Sequence, residues 1–231
     1  MTEIMIEAKD GGRFSAYLAL PVSLPAPVII VIQEIFGVNR EMREKCDELA
    51  RQGYIAVSPD LFWRLKPGVQ LTDKSEAEWQ EAFSYFKAFD VDKGVEDIGA
   101  TYDHFKNFDG STGKIGAVGY CLGGKLAYLT AAHIPVDAAV SYYGVGLDEL
   151  LGEAPAITNP LLLHIAEGDE YFSPQAQKKI ADGLKDHKKV TIYSYPGVNH
   201  AFARGNGINY DENAATKANK HTAELFAETL F

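Results

Sequence analysis

The chain has 231 residues, of which 46% are hydrophobic, and carries a formal net charge of −10 with a pI near 5.1. This length and composition predict a single domain, residues 1–231, with one sizeable core. The acidic balance and the lack of any Lys or Arg run argue against nucleic acid or an anionic membrane surface as partner. Because the sequence shows neither a secretion signal nor an apolar stretch long enough to span a membrane, we expect a cytoplasmic protein, and a monomer.

The two cysteines bear on compartment and on metal binding. Cys46 and Cys121 are far apart in sequence and belong to no C-x-x-C pattern. Neither a disulfide framework nor a zinc site is therefore expected, and a reducing compartment is the simplest interpretation. We expect no metal or organic cofactor. Cys46 is expected to be structural, on the face of a helix.

The predicted elements begin with a hairpin and then alternate between strands and helices. The apolar-alternating runs 3–9 and 13–20 flank Asp10-Gly11-Gly12, which predicts two antiparallel strands. The continuous β-branched run 27–33 is typical of a parallel strand buried on both faces. Further strands are predicted at 54–58, 114–120, 136–142, 160–166 and 189–195, and helices at 39–52, 76–89, 91–108, 122–132, 174–186 and 212–230. This pattern predicts an α/β fold with a mostly parallel sheet of about eight strands.

A loop and a set of aromatic residues lie in the middle of this order. Periodicity is lost from 61 to 74, which predicts an excursion over the carboxyl edge of the sheet. Aromatic residues at helical spacing follow it, and most of them are expected in the core. The candidates for lining a pocket are Phe36, Trp79, Tyr85 and Tyr142.

The residues around Cys121 carry the strongest chemical signal. An apolar strand ends at Gly119-Tyr120-Cys121-Leu122-Gly123 and restarts as a helix, which gives the form G-x-C-x-G. In such a strand-to-helix turn, small flanking residues expose the central side chain as a nucleophile. The helix N-terminus favours a thiolate and an oxyanion. Against this interpretation, glycine-rich turns are common and a lone cysteine is often a small core residue.

A carboxylate and a histidine follow at later strand ends. Asp169 closes one predicted strand and His200 follows the last, so both are expected at the sheet edge that holds Cys121. The order nucleophile, acid, histidine is that of α/β-hydrolases. The imidazole would share the thiol proton and Asp169 would fix its tautomer, although Asp169 could instead cap the helix near Pro174. The other histidines have weaker placement, and His164, within a strand, is expected to be a core residue.

An acidic residue also ends the first parallel strand. Glu34 is costly to bury in this position and is expected near the nucleophile, the alternative being an exposed loop acid. The N–H groups of Ile35 and Leu122 occupy the positions from which an α/β-hydrolase supplies its oxyanion hole.

These segments together resemble the dienelactone hydrolase family, within the α/β-hydrolase superfamily. The resemblance rests on five segments and spans nearly the whole chain: Glu34-Ile35-Phe36-Gly37, Gly119 to Gly124, Tyr142-Tyr143-Gly144, Gly168-Asp169 and His200-Ala201-Phe202-Ala203-Arg204. It implies a triad of Cys121, His200 and Asp169, with Glu34 holding the thiol in a resting state and accepting its proton when substrate rearranges the site. It also implies opening of an enol-lactone to a maleylacetate-type product in aromatic or chloroaromatic degradation.

The resemblance is incomplete at the substrate carboxylate. The family holds this group with arginines, and Arg204 matches one of them, whereas no arginine lies between Arg64 and Arg204. The helix that carries the family's second arginine offers Trp79, Lys74 and Lys87, and none of these replaces a bidentate guanidinium.

The sequence therefore predicts a hydrolase that opens lactones or small activated esters, with an anionic small-molecule substrate. A promiscuous carboxylesterase or thioesterase on the same scaffold is the alternative that Trp79 favours. A ligand-binding protein without catalysis is a further alternative, against which the intact triad argues.

Overall fold

The computed structural model describes residues 2–231, which form one eight-stranded sheet flanked by helices. The strands are β1 (Thr2–Glu7), β2 (Arg13–Ala19), β3 (Ala26–Ile32), β4 (Ile55–Pro59), β5 (Ser111–Tyr120), β6 (Ala138–Tyr142), β7 (Leu161–Ala166) and β8 (Val190–Tyr195). The helices are α1 (Arg40–Arg51), α2 (Glu76–Ala88), α3 (Val91–Lys106), α4 (Leu122–His133), α5 (Pro174–Leu184) and α6 (Glu212–Leu230), with short 3-10 helices at Leu147–Glu149 and Leu151–Ala156. The predicted α/β fold is confirmed.

The strand order places the chemistry at one edge of the sheet. The order is β1-β2-β4-β3-β5-β6-β7-β8. Strand β2 pairs antiparallel with both β1 and β4, and the six strands from β4 to β8 in this order run parallel to one another. The predicted N-terminal hairpin is confirmed. Because the carboxyl ends of parallel strands meet at a common edge, the loops after β3, β5, β6, β7 and β8 lie together.

Helices cover both faces of the sheet. Strand β5 shows this by alternation, since a Cβ on Gly116 would meet Phe226 of α6 and a Cβ on Gly119 would meet Gly123 of α4. Helix α1 lies beside α6 and buries Met42, Cys46 and Ala50. Burial raises the pKa of the Cys46 thiol. Of the helices in residues 2–231, none combines the length and the apolarity that crossing a membrane would require.

His164 occupies the buried position that the sequence predicts. Its Nδ1 lies 2.9 Å from the Tyr195 hydroxyl and its Nε2 lies 3.0 Å from Thr222 Oγ1. Burial lowers the pKa of His164 to about 3, so the ring is neutral at physiological pH. It is a hydrogen-bonded core residue.

The predicted loop over the carboxyl edge is held in place at its C-terminal end. Asn39 caps α1 by accepting from Met42 N–H at 3.2 Å, and its Nδ2 donates to the Leu71 carbonyl at 2.9 Å. Ser75 caps α2 by accepting from Glu78 N–H at 3.3 Å. The loop therefore has a defined path past the residues that follow β3.

Candidate active site

Cys121 lies at a sharp turn between β5 and α4. Its backbone has φ 56° and ψ −114°, which is a strained conformation for a residue with a side chain. The turn is closed tightly: a Cβ on Gly119 would lie 1.8 Å from the Gly123 carbonyl oxygen, and a Cβ on Gly123 would lie 2.3 Å from the Ile32 carbonyl oxygen. Only glycine fits at both positions, so the sequence pattern and the geometry of a nucleophile elbow agree.

His200 and Asp169 form a buried pair beside this turn. His200 Nδ1 lies 2.7 Å from Asp169 Oδ2, and the other carboxylate oxygen accepts from Tyr171 N–H at 2.8 Å. The imidazole ring lies between the rings of Tyr143 and Tyr171, with centroid distances of 5.1 and 5.0 Å. These contacts fix the orientation of the imidazole and leave its second nitrogen, Nε2, available to another hydrogen-bond partner.

The charge state of His200 is set by its neighbours. Burial alone would lower its pKa, but negative charge at Cys121 and the bond to Asp169 raise the pKa of His200 to about 10. Its Nε2 is buried and has no hydrogen-bond partner within residues 2–231. An imidazolium at this place would stabilise a thiolate once Cys121 has lost its proton.

Glu34 is buried and is bound by Arg204, which lines the same cavity as Cys121. Arg204 Nε donates to Glu34 Oε2 at 2.8 Å, and Nη1 donates to Asp73 Oδ2 at 3.0 Å. The side chains of Glu34, Asp73 and Arg204 are 2%, 3% and 9% exposed, so this is a buried three-member cluster. Glu34 Oε1 and the Tyr143 hydroxyl are buried without partners in the part of the chain that the structure describes.

Two backbone N–H groups are free to stabilise negative charge. Leu122 is the first residue of α4, whose N–H has no partner within the helix. Ile35 follows β3 and lines the same cavity as Cys121. Neither N–H donates to another group among residues 2–231. Ile35 and Leu122 therefore stay the candidates for an oxyanion hole.

The cavity over Cys121 is about 190 Å³ and mostly apolar. It is lined by Ile35, Trp79, Phe83, Phe86, Cys121, Val145, Tyr171, His200 and Arg204. A cavity of this kind fits a small ligand with an apolar body.

Three of the pocket candidates from the sequence lie elsewhere. Tyr142, the last residue of β6, points to α6, where its hydroxyl contacts Asn219 at 3.0 Å and Thr222 at 2.6 Å. Strand alternation sends the next residue, Tyr143, to the site instead. The hydroxyl of Tyr85 donates to Glu81 at 2.7 Å, and its ring packs on Phe62.

Phe36 also lies behind the cavity wall. Its ring is 1% exposed, contacts the Trp79 ring edge-on and lies 4.9 Å below the Arg204 guanidinium. Of these four aromatic candidates, Trp79 alone lines the cavity.

Sequence reasoning missed Asp73 and several lining residues. Trp79, Phe83 and Phe86 follow an i, i+4, i+7 spacing, so one face of α2 could have been recognised as the cavity wall. Val145 and Tyr171 carry no such signal. Arg64, the arginine that precedes Arg204 in the sequence, does not line the cavity. Its Nη2 lies 2.8 Å from Asp97 Oδ1 and its Nη1 lies 2.6 Å from Asp10 Oδ2.

The eight-stranded sheet with this elbow defines an α/β-hydrolase. The sequence profile of the Dienelactone hydrolase family matches residues 14–230, so the chain belongs to that family. It is 47% identical, over the full length of both chains, to an Azospirillum brasilense protein provisionally named a carboxymethylenebutenolidase. It is 40% identical to the carboxymethylenebutenolidase of Pseudomonas putida, over 97% of this chain and 95% of that one.

A solved structure agrees with the sequence relationship. A Klebsiella pneumoniae subsp. pneumoniae structure, provisionally named a dienelactone hydrolase, superposes with a TM-score of 0.83 at 25% identity and covers 99% of this chain and 100% of that one. The protein is therefore a hydrolase enzyme of this family.

Proposed function

We propose that the protein opens an enol-lactone such as dienelactone (4-carboxymethylenebut-2-en-4-olide) to maleylacetate through a Cys121 acyl-enzyme. The observation that carries the proposal is Cys121 on a strained turn, in one cavity with the His200–Asp169 pair. Dienelactone is the substrate that the names of the family and of its relatives indicate. Such a step belongs to the degradation of aromatic compounds.

The chemistry follows from the residues around the cavity. The Cys121 thiolate attacks the lactone carbonyl carbon, and the N–H groups of Ile35 and Leu122 stabilise the resulting oxyanion. Collapse of this intermediate breaks the ring C–O bond and forms a thioester, and the leaving enolate takes the proton of the His200 imidazolium to become the ketone. His200 then removes a proton from the water that hydrolyses the thioester, while Asp169 stabilises the imidazolium.

Glu34 and Arg204 connect substrate binding to the thiol. In the resting site Arg204 holds Glu34 at 2.8 Å. A substrate carboxylate that binds Arg204 competes with Glu34 for the same donors. Released from this ion pair, Glu34 becomes the acceptor for the Cys121 proton, so that the nucleophile forms when an anionic substrate is present.

A carboxylesterase or thioesterase activity is the second candidate. The apolar walls of the cavity favour it, since Trp79, Phe83 and Tyr171 offer rings where an anionic substrate would need cations. Such an enzyme would use the same nucleophile with a neutral acyl group.

The test compares dienelactone with p-nitrophenyl acetate in stopped-flow hydrolysis by wild type, Cys121→Ala and Cys46→Ala. We expect Cys121→Ala to lose at least about 10³-fold in kcat on both substrates, because the nucleophile is removed. Cys46→Ala, which removes the other thiol, is the matched control: Cys46 does not line the cavity, and the variant should keep its activity within about twofold.

The outcomes separate the candidates. Efficient dienelactone turnover that requires Cys121 supports the lactone hydrolase. Brisk acetate hydrolysis with negligible dienelactone turnover would move the assignment to the esterase, and full activity in Cys121→Ala would rule out the covalent route.

A further inference from the structure

Arg204 is shared between two buried carboxylates. Its Nε and Nη1 are taken by Glu34 and Asp73, which leaves Nη2 without a protein partner among residues 2–231. Glu34 has a part in the proposed thiol chemistry. Asp73 has none, and its contact with Arg204 needs another explanation.

Asp73 is held firmly in place. Its carbonyl accepts from Trp79 Nε1 at 3.2 Å, and its second carboxylate oxygen lies 3.3 Å from Lys74 Nζ. Lys74 also donates to the carbonyl of Asn206, which lies in the loop that follows Arg204. The loop before α2 is thereby fastened to the segment that carries Arg204.

The carboxyl group of Asp73 is ionised at neutral pH. Burial alone would raise its pKa, but the charge and hydrogen bond of Arg204 hold the pKa of Asp73 below its usual range. One guanidinium thus faces two carboxylates. Lys74 balances part of the charge of Asp73 but does not line the cavity. A substrate carboxylate entering the cavity would be the third anion at the Arg204 guanidinium, and it meets repulsion from the other two.

We propose that Asp73 is a specificity-determining residue that competes with a substrate carboxylate for Arg204 and so lowers the preference for anionic over neutral substrates. The proposal rests on the hydrolase function proposed above and uses the same site. The favoured neutral acyl group is flat and apolar, because the rings of Trp79, Phe83 and Tyr171 line the space beside the nucleophile.

The test uses two lactones that differ by one carboxylate group. They are dienelactone and 5-methylenefuran-2(5H)-one, which is the same enol-lactone ring without the exocyclic carboxylate. In Asp73→Asn, we expect the ratio of kcat/KM for dienelactone to kcat/KM for the neutral lactone to rise about tenfold, mainly through a lower KM for dienelactone. Asp73→Ser serves as a second uncharged variant, in case the amide disturbs folding.

The matched control is Glu170→Gln. It removes one negative charge next to Tyr171, at an exposed position without a hydrogen bond to Arg204. Its ratio should stay within about twofold of wild type, because an exposed charge is screened by solvent and salt.

The direction in which the kcat/KM ratio changes shows whether Asp73 competes with the substrate carboxylate or positions Arg204 to bind it. If Asp73 merely positions Arg204, its loss weakens dienelactone binding, and the ratio falls; this result, or an unchanged ratio, overturns the proposal. Turnover of both lactones by wild type, abolished in Cys121→Ala, keeps the proposed function whatever Asp73 does. Wild type that turns over neither lactone overturns both proposals.

Discussion

At the residue scale, the imidazole of His200 shows how burial and neighbouring charge oppose each other. Burial favours the neutral ring, whereas Asp169 at 2.7 Å and negative charge at Cys121 favour the imidazolium. The charges prevail, so the pKa of His200 rises to about 10. The imidazole of His200 therefore carries a proton at neutral pH.

Titration of His200 tests this charge state. In protein labelled with 13C at histidine Cε1, the His200 resonance should titrate near pH 10, and in Asp169→Asn at clearly lower pH because the carboxylate charge is lost. His164, whose pKa burial lowers to about 3, is the internal reference, and its resonance should not titrate above neutral pH in either protein. A His200 titration near its ordinary value of about 6.5 in wild type would contradict the assigned pair.

The same pKa has a consequence for stability. A folded-state pKa above the unfolded one means that the folded state binds the proton more tightly. The stabilisation is therefore complete below the unfolded pKa of about 6.5 and is lost as the pH rises through about 10. The free energy of unfolding contributed by His200 should decline across this window.

At the scale of the element, the elbow depends on two glycines that let β5 and α4 approach one another. Gly119 lies against the Gly123 carbonyl, and Gly123 lies against the carbonyls of Ile32 and Gln33 at the end of β3. Three elements thus meet through backbone contacts alone. This close packing holds Cys121 in its strained conformation.

Adding a single methyl group tests this packing. Gly119→Ala should lower the free energy of unfolding by at least about 2 kcal/mol, because the new Cβ overlaps backbone atoms of Gly123, which cannot move aside as a flexible side chain could. Gly152→Ala is the matched control: no atom lies within 4 Å of its added Cβ, and its change should stay within about 0.5 kcal/mol. Urea unfolding measures both, and equal midpoints for the two variants would contradict the steric argument.

At the scale of the whole molecule, one sheet carries both the core and the site. The strand β3, fully buried, is bonded to β4 and β5, and the N-terminal hairpin joins the same sheet through β4. Loops from β3, β5, β7 and β8 supply the site, so the site depends on the integrity of the sheet. We expect the chain to unfold as one cooperative unit.

Unfolding in urea, followed by far-UV circular dichroism and by tryptophan fluorescence, checks this expectation. The midpoints from the two probes should coincide in wild type. They should also coincide in Trp79→Phe, in which the emission comes from Trp63, which packs on Phe14 of the hairpin. Sedimentation equilibrium, expected to give a 25.3 kDa monomer, is the control that the transition is unimolecular. Separate transitions for the two probes would show that the hairpin region is an independent unit.

The sequence by itself determined the order of strands and helices, the elbow at Cys121 and the positions of Asp169 and His200. These features follow from local patterns: β-branched runs, helical spacing, glycines at a tight turn, and polar residues at the ends of parallel strands. The tertiary structure alone decided which side chains meet. Tyr143 rather than Tyr142 faces His200, because strand alternation is resolved only when the register of β6 is fixed. Asp73 reaches Arg204 across 131 residues of chain, through the packing of two loops that no local pattern predicts.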